Sequence, residues 1–361
     1  MKLIKTNILL DTKGVIPVDF GRTLIVSTEK KLNYQSVTAA GEIEGAVSTD
    51  KIYKKVEAFF SGASRVDSVD VVGETADVLT DGDALKTFLD KVKNENSNVD
   101  TFFIMLDKFD NTLTKALCEW GIANGKMPAY TTSETMEITA VEALAKEFNS
   151  KAISYDGEEN LDAKHIGFMT TTVPGKLPWS WRELQGVVVN KRPATEQQRL
   201  LDGNINFVNQ ERRGVLVVVP GKTSFGEFVK NEWGKANMED DMHIAIVNLL
   251  KSNDPPAHPG ADLSAAGIMD QVIFDVIKDY AGSDRKFIAT WSDKEVEAGE
   301  TTRKVGDPKG WVKTKTDYTV NQIKTGEFTI EWAAMPRGEC LKGTITGLLT
   351  FDINKIKEGE V

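Results

Sequence analysis

Phe102-Phe103-Ile104-Met105-Leu106 is an unbroken apolar run. A strand with one wet face alternates apolar and polar residues, so a run without alternation fits a strand covered on both faces, as in a parallel sheet flanked by helices. The flanking sequence supplies those helices. Upstream, Ile52, Val56, Phe59 and Phe60 share one helical face that Thr49 can cap and Ser61-Gly62 can end. Asp81 or Asp83 can cap a second helix bearing Leu85, Phe88, Leu89 and Val92. Downstream, Leu113, Leu117 and Trp120 mark one helix, and Val141, Leu144, Ala145 and Phe148 another. Short β segments are expected at residues 23–26, 69–72, 129–130 and 152–153, and at 165–169, which begins with His165. This β-α-β rhythm predicts an α/β domain over residues 18–172, a mixed, mostly parallel sheet with flanking helices.

The rhythm breaks at residues 172–181, where Pro174, Gly175, Pro178, Trp179 and Trp181 make a regular element impossible and suggest a shaped connection between domains. Beyond it, residues 214–219 read as a strand. Met242, Ala245, Ile246, Leu249 and Leu250 share one helical face, a proline-rich turn at 254–260 stops that helix, and Ile268, Val272, Ile273, Val276, Ile277 and Tyr280 define a second. The pair reads as two helices packed on a sheet. Phe328, Ile330 and Trp332 alternate with Thr329 and Glu331, and Ile345, Leu349, Phe351 and Ile353 alternate with polar residues, which predicts a closing hairpin joined by residues 333–343. Leu3, Ile4, Ile8, Leu9 and Leu10 form a further strand at the other end. The expected organisation is an N-terminal β arm (1–17), the α/β domain (18–172), and an α+β domain (173–361) completed by the terminal strands. At about 150 residues per domain, the 361 residues accommodate this division.

Composition narrows the chemistry. With 40% hydrophobic and 27% charged residues the chain can bury a real core, and its net charge of −10 argues against direct nucleic-acid binding. No apolar stretch has the length of a membrane span, and the N-terminal residues lack a cleavage pattern, so neither membrane insertion nor secretion is expected. Cys118 and Cys340 are isolated, and His165, His243 and His258 form no cluster, so no disulfide framework and no metal site is expected. The run from Val217 to Thr223 ends in Gly221-Lys222-Thr223, as a phosphate-binding loop does. The position that needs glycine is Leu216, however, and Pro220 removes a donor, so an ordinary strand-to-loop turn is the better reading. Glu239-Asp240-Asp241 reads as the acidic start of a helix. The basic stretch from Lys304 to Lys315, interleaved with Asp307 and Trp311, reads as a solvated or partner-facing loop. No catalytic constellation emerges. What remains is unpaired β potential at both ends, and a strand held outside its own domain must join a sheet edge, its own or a neighbour's. A contact of that kind, repeated between copies without closing, builds a filament.

Several loosely spaced features resemble the tail sheath proteins of contractile-tailed bacteriophages. They are Pro174-Gly175 and Pro178-Trp179-Ser180-Trp181, then Leu184-Gln185-Gly186-Val187, then Thr195-Glu196 ahead of Leu200-Leu201-Asp202-Gly203-Asn204-Ile205-Asn206, then the strand into Gly221-Lys222-Thr223, and the ending Gly343-Thr344-Ile345-Thr346-Gly347. The resemblance spans about the last 190 residues; the first half shares α/β character and the opening Phe20-Gly21-Arg22-Thr23-Leu24-Ile25-Val26. It implies a structural subunit of the phage virion, without enzymatic activity or cofactor and assembled in the bacterial cytoplasm. Such subunits stack as hexameric rings around a tail tube, meet a baseplate and a tail terminator, and contract to drive the tube through the host envelope. It further implies terminal arms that donate strands to neighbouring subunits, here Leu3, Ile4, Ile8, Leu9 and Leu10, and Ile345, Leu349, Phe351 and Ile353. Two alternatives stay open: a nucleotide- or small-molecule-binding α/β enzyme with its ligand at the carboxyl ends of the strands, and a sheath subunit of a bacteriocin or injection-system particle.

Overall fold

The computed structural model describes residues 15–16, 21–62, 64–96, 101–148, 151–299 and 303–338. Both sets of terminal-arm residues, Leu3 to Leu10 and Ile345 to Ile353, lie outside them, as does Cys340. In chain order, β1 (Val15–Ile16), β2 (Arg22–Ser27) and β3 (Leu32–Val37) precede α1 (Lys51–Phe59), β4 (Arg65–Val66), β5 (Val69–Gly73) and α2 (Gly82–Glu95). Then come β6 (Thr101–Leu106), α3 (Asn111–Ala123), β7 (Met127–Ser133), α4 (Ile138–Glu147), β8 (Ile153–Gly157) and α5 (Leu161–Met169). The sheet order is β3-β5-β2-β6-β7-β8, with β3 antiparallel and the other five strands mutually parallel; β1 pairs separately with β4.

Because successive side chains point to opposite faces, the central strands feed two cores. Ile25, Val71, Phe103 and Met105 pack with α1 and α5, while Leu24, Val26, Val72, Ile104 and Leu106 pack with α2 and α3. The run at Phe102 lacks alternation for this reason: both of its faces are inside. Asp81 caps α2 by accepting from the Ala84 N–H at 2.9 Å, and Asp110 caps α3 in the same way through Leu113. Asp50, not Thr49, occupies the position before α1, and its carboxylate accepts from the Val47 N–H rather than from the helix.

Residues 170–193 form an irregular strap. Its Trp179 is fully buried, with ring centroids 5.6 Å from Phe103 and 5.9 Å from Trp233, so it packs in the same core as β6. The strap leads to α6 (Ala194–Asp202), β9 (Phe207–Gln210) and β10 (Leu216–Val219), an antiparallel pair that adjoins β8 through Asn206. The chain continues through α7 (Val229–Leu250), α8 (Leu263–Ala281), α9 (Asp293–Glu297), β11 (Gly310–Thr314), α10 (Val320–Thr325) and β12 (Ile330–Ala334).

Three expectations are corrected. His165 lies on α5, not on a strand; seven of that helix's nine residues are buried, and a helix covered nearly all round loses the polar face that betrays its period. Glu239-Asp240-Asp241 sits in the middle of α7, ten residues beyond its start, where the helix dipole does not reach. The Lys304 to Lys315 stretch is not all loop, since it contains β11. In addition, the described strand partner of β12 is β11; the second half of the expected closing hairpin falls outside the described residues.

Candidate assembly surface

α7 and α8 pack against each other through Met238, Met242, Ile273, Ile277 and Tyr280, joined by Phe287 and Ile288. One acid of α7, Asp241, serves this pairing. The Tyr280 hydroxyl donates to Asp241 at 2.7 Å and receives the Asn237 amide, while Arg285 bridges Asp241 and Asp279 at 3.1 and 2.9 Å. Burial, reinforced by Asp241, holds the Tyr280 hydroxyl well above its ordinary pKa, so it stays a donor.

On this helical pair lies a two-stranded ribbon, β11 against β12, with Gly310 opposite Ala334 and Thr314 opposite Ile330. Val312, Ile330, Trp332 and Ala334 face the helices, whereas Trp311, Lys313, Glu331 and Ala333 face solvent. The hydrogen-bond parity identifies the open side. Met335 N–H donates to Lys309 O and Lys315 N–H to Thr329 O, both at 2.8–2.9 Å, so the odd-numbered residues of β12 bond across the ribbon. The backbone groups of Ile330, Trp332 and Ala334 therefore point away from β11. The far side of β11 is occupied instead: Thr314 N–H donates to Asp270 at 2.6 Å and Gly310 N–H to Pro308 O. Among the described residues, β12 thus offers an edge with no strand beside it.

The other sequence-derived candidates have structural roles. In the Val217 to Thr223 loop, the N–H groups of Gly221 and Lys222 both donate to Asn206 Oδ1, at 2.8 and 3.2 Å, and that of Thr223 donates to Glu227 O. Donors turned onto the protein's own acceptors do not surround a phosphate. Asn206 itself, quoted above only as part of a resemblance, exchanges backbone bonds with Ser154 and Asp156 and holds Lys222 O through its side chain. His165 is fully buried beside the Tyr155 hydroxyl, 3.1 Å from Nδ1, and burial pushes its imidazole pKa down to about 3. His258 ties the α7–α8 turn to Glu327 O at 2.7 Å, His243 is exposed, and Cys118 is a buried core residue.

A cleft of about 500 Å³ does lie at the carboxyl ends of β6, β7 and β8, where an α/β enzyme would hold its ligand. Its cations are engaged. Lys55 pairs with Asp162 at 2.6 Å with both side chains buried, and Lys51 pairs with Glu159 at 2.6 Å. Asp107 accepts from Ser27 and Thr28, with burial raising its carboxyl above the usual range. An anionic ligand that recruited Lys55 would have to break a buried ion pair, at a cost of about 3–5 kcal/mol. Among the described residues no cluster of three His, Cys, Asp or Glu could hold a metal ion, and no helix is long and apolar enough to cross a membrane.

No family model matches this chain, and no curated protein matches it in sequence. Solved structures match its fold. The cryo-EM structure of the anti-feeding prophage (AFP) baseplate, 6-fold symmetrised, contains a chain with TM-score 0.67 and 12% identity, covering 97% of this chain and 100% of that one. The AFP helical sheath in the contracted state contains one with TM-score 0.63 and 13% identity, covering 98% and 100%. At these identities the likeness is one of fold: the chain is similar in fold to a chain of the AFP contracted sheath.

Proposed function

We propose that this chain is a structural subunit of a contractile tail sheath or of a phage-tail-like particle, and not an enzyme. The observation that carries the reading is the likeness to sheath and baseplate chains, which covers 97–98% of this chain and 100% of those chains. In this reading residues 18–172 form an outer domain and residues 173–361 an inner one. The arms 1–17 and 344–353 pair with the β12 edge of another copy, because an edge strand and a β-capable arm each have backbone groups to satisfy. Repeated around a six-fold axis and along a helix, the contact yields stacked rings around a tail tube, between a baseplate and a terminator, in the virion. Contraction keeps the strand pairing and repacks the remaining faces. Each additional Å² of apolar contact contributes at most about 25 cal/mol, so no nucleotide is required.

The likeness to a chain of the baseplate structure favours a second reading, a ring-forming subunit at the tail end. Negative-stain microscopy of concentrated full-length protein separates the possibilities: tubes of stacked rings support the sheath, closed single rings the baseplate. A globule that stays monomeric and is stabilised against heat by a nucleotide would point to the enzyme instead. Removing residues 1–12 should leave a folded chain that no longer polymerises, and normal tubes from that truncation contradict the arm linkage.

A further inference from the structure

Charge is unevenly distributed along this acidic chain. Residues 21–172 carry 16 Lys and Arg against 25 Asp and Glu, a net −9, whereas residues 303–324 carry six Lys and Arg against two Asp, a net +4. The basic segment is built around β11, and the alternation of that strand sorts its side chains. Val312 and Thr314 go inward to α8, while Trp311 and Lys313 go outward, followed by exposed Lys315. On β12 the outward partners are Ala333 opposite Trp311 and Glu331 opposite Lys313. Met335, 55% exposed, continues the row beside Trp311, which is 47% exposed. One acid, Glu331, thus stands on a face otherwise made of a tryptophan, small or flexible apolar groups and lysines. An exposed tryptophan on a face whose charge is mainly basic is the composition of a docking surface, because the ring gains most from burial and the rim selects the partner.

We propose that this outward face of the ribbon docks on the acidic α/β body of a second copy of the chain. The argument for that occupant is charge complementarity: copies with a net charge of −10 repel each other nearly everywhere, and the ribbon is where a copy offers the opposite sign to the −9 body. The inference rests on the self-assembling reading and deepens it, since the face is distinct from the β12 edge: the edge takes a strand in the sheet plane, the face takes a surface stacked on it. Two different patches meeting head to tail make a heterologous contact, the kind that propagates.

The test measures the critical concentration for sedimentable assembly of the full chain, at low and high salt. Four proteins are compared: the wild type, Lys313→Glu/Lys315→Glu, Trp311→Ser, and the control Lys176→Glu/Lys191→Glu, which makes the same charge change at exposed sites outside both the ribbon and the α/β body. The wild type should assemble less readily as salt rises, and the ribbon double variant should need about tenfold more protein, with an unchanged melting temperature and the control near wild type. Trp311→Ser should raise the threshold without steepening the salt dependence, and it decides the matter if the double variant misfolds. Equal thresholds for the ribbon variants and wild type overturn this inference and leave the self-assembly reading standing. A wild type that never sediments overturns both, and tight binding of the ribbon face to a DNA duplex overturns the choice of occupant.

Discussion

Arg192 grips Asp156 with two nitrogens, Nε to Oδ2 at 2.7 Å and Nη2 to Oδ1 at 3.0 Å, inside a core where the Asp156 side chain is fully buried. The same guanidinium donates to Met136 O at 2.7 Å and to Glu196 at 3.1 Å, and Asn190 adds a further bond to Asp156. The strap that precedes α6 is thereby fixed to the end of β8. Asp156 keeps a full set of donors, which a buried carboxylate requires.

Arg192→Leu leaves that carboxylate buried and poorly partnered. It should cost about 3–5 kcal/mol of unfolding free energy in urea titrations, and the double variant Arg192→Leu/Asp156→Leu should recover part of the loss. A cost below about 1 kcal/mol would mean that water reaches Asp156.

The buried imidazole predicts an acid-side weakness. His165 has a folded pKa of about 3 against about 6.5 when unfolded, so the folded state binds the proton less well. Its contribution is complete above pH 6.5 and is lost as pH falls from there toward 3. Between pH 6.5 and 4.5 the fold should lose about 2 kcal/mol through this residue. His165→Phe should start less stable, having lost the Tyr155 contact, yet show a flatter decline over the same window. Parallel pH curves for the two proteins would place the imidazole in contact with water.

Gly221 is where the strap and the loop after β10 touch. Its φ is +75°, and a Cβ there would lie 2.4 Å from Ser180 N. Gly221→Ala should therefore destabilise by about 2–4 kcal/mol, read as a lower urea midpoint with unchanged slope. A neutral substitution would show that the Trp179-Ser180 backbone can yield.

What the sequence disclosed follows from what local patterns can encode. The helical faces of α1 to α4 were legible because each buries one periodic set of side chains, and the strand at Phe102 because burial of both its faces leaves an unbroken apolar run. α5 was not, since its burial is nearly all-round, and β11 was not, since a strand with Lys313 and Trp311 facing solvent and Val312 and Thr314 as its inward residues resembles a basic loop. In the first turns of α7 the buried pair Val229 and Trp233 is mixed with buried Lys230, Gly234 and Asn237, which blurs where that helix begins. Partnerships between distant residues, such as Asp156 with Arg192 or Asn206 with Gly221, carry no local signal at all. At the candidate surface the alternation of Ile330 and Trp332 was visible, whereas the identity of their partner strand was not, because pairing is a tertiary choice.

The helix pair beneath the ribbon can be probed separately. Tyr280→Phe removes the donor to Asp241 but keeps the packing and the Arg285 bridges, and should cost about 1–2 kcal/mol by urea denaturation. No loss would mean that Arg285 alone satisfies Asp241.

The central claim is that β12 is completed by a strand from another molecule, and isotope-mixed cross-linking addresses it directly. A photoreactive residue at exposed Glu331 is introduced into heavy-labelled chains, which are co-assembled with light chains and irradiated. The account predicts cross-links from position 331 to residues 3–10 or 345–353, with mixed heavy–light peptides at the frequency of random pairing. Cross-links to those residues found only within chains of one isotope would contradict it, by showing that each molecule completes its own sheet.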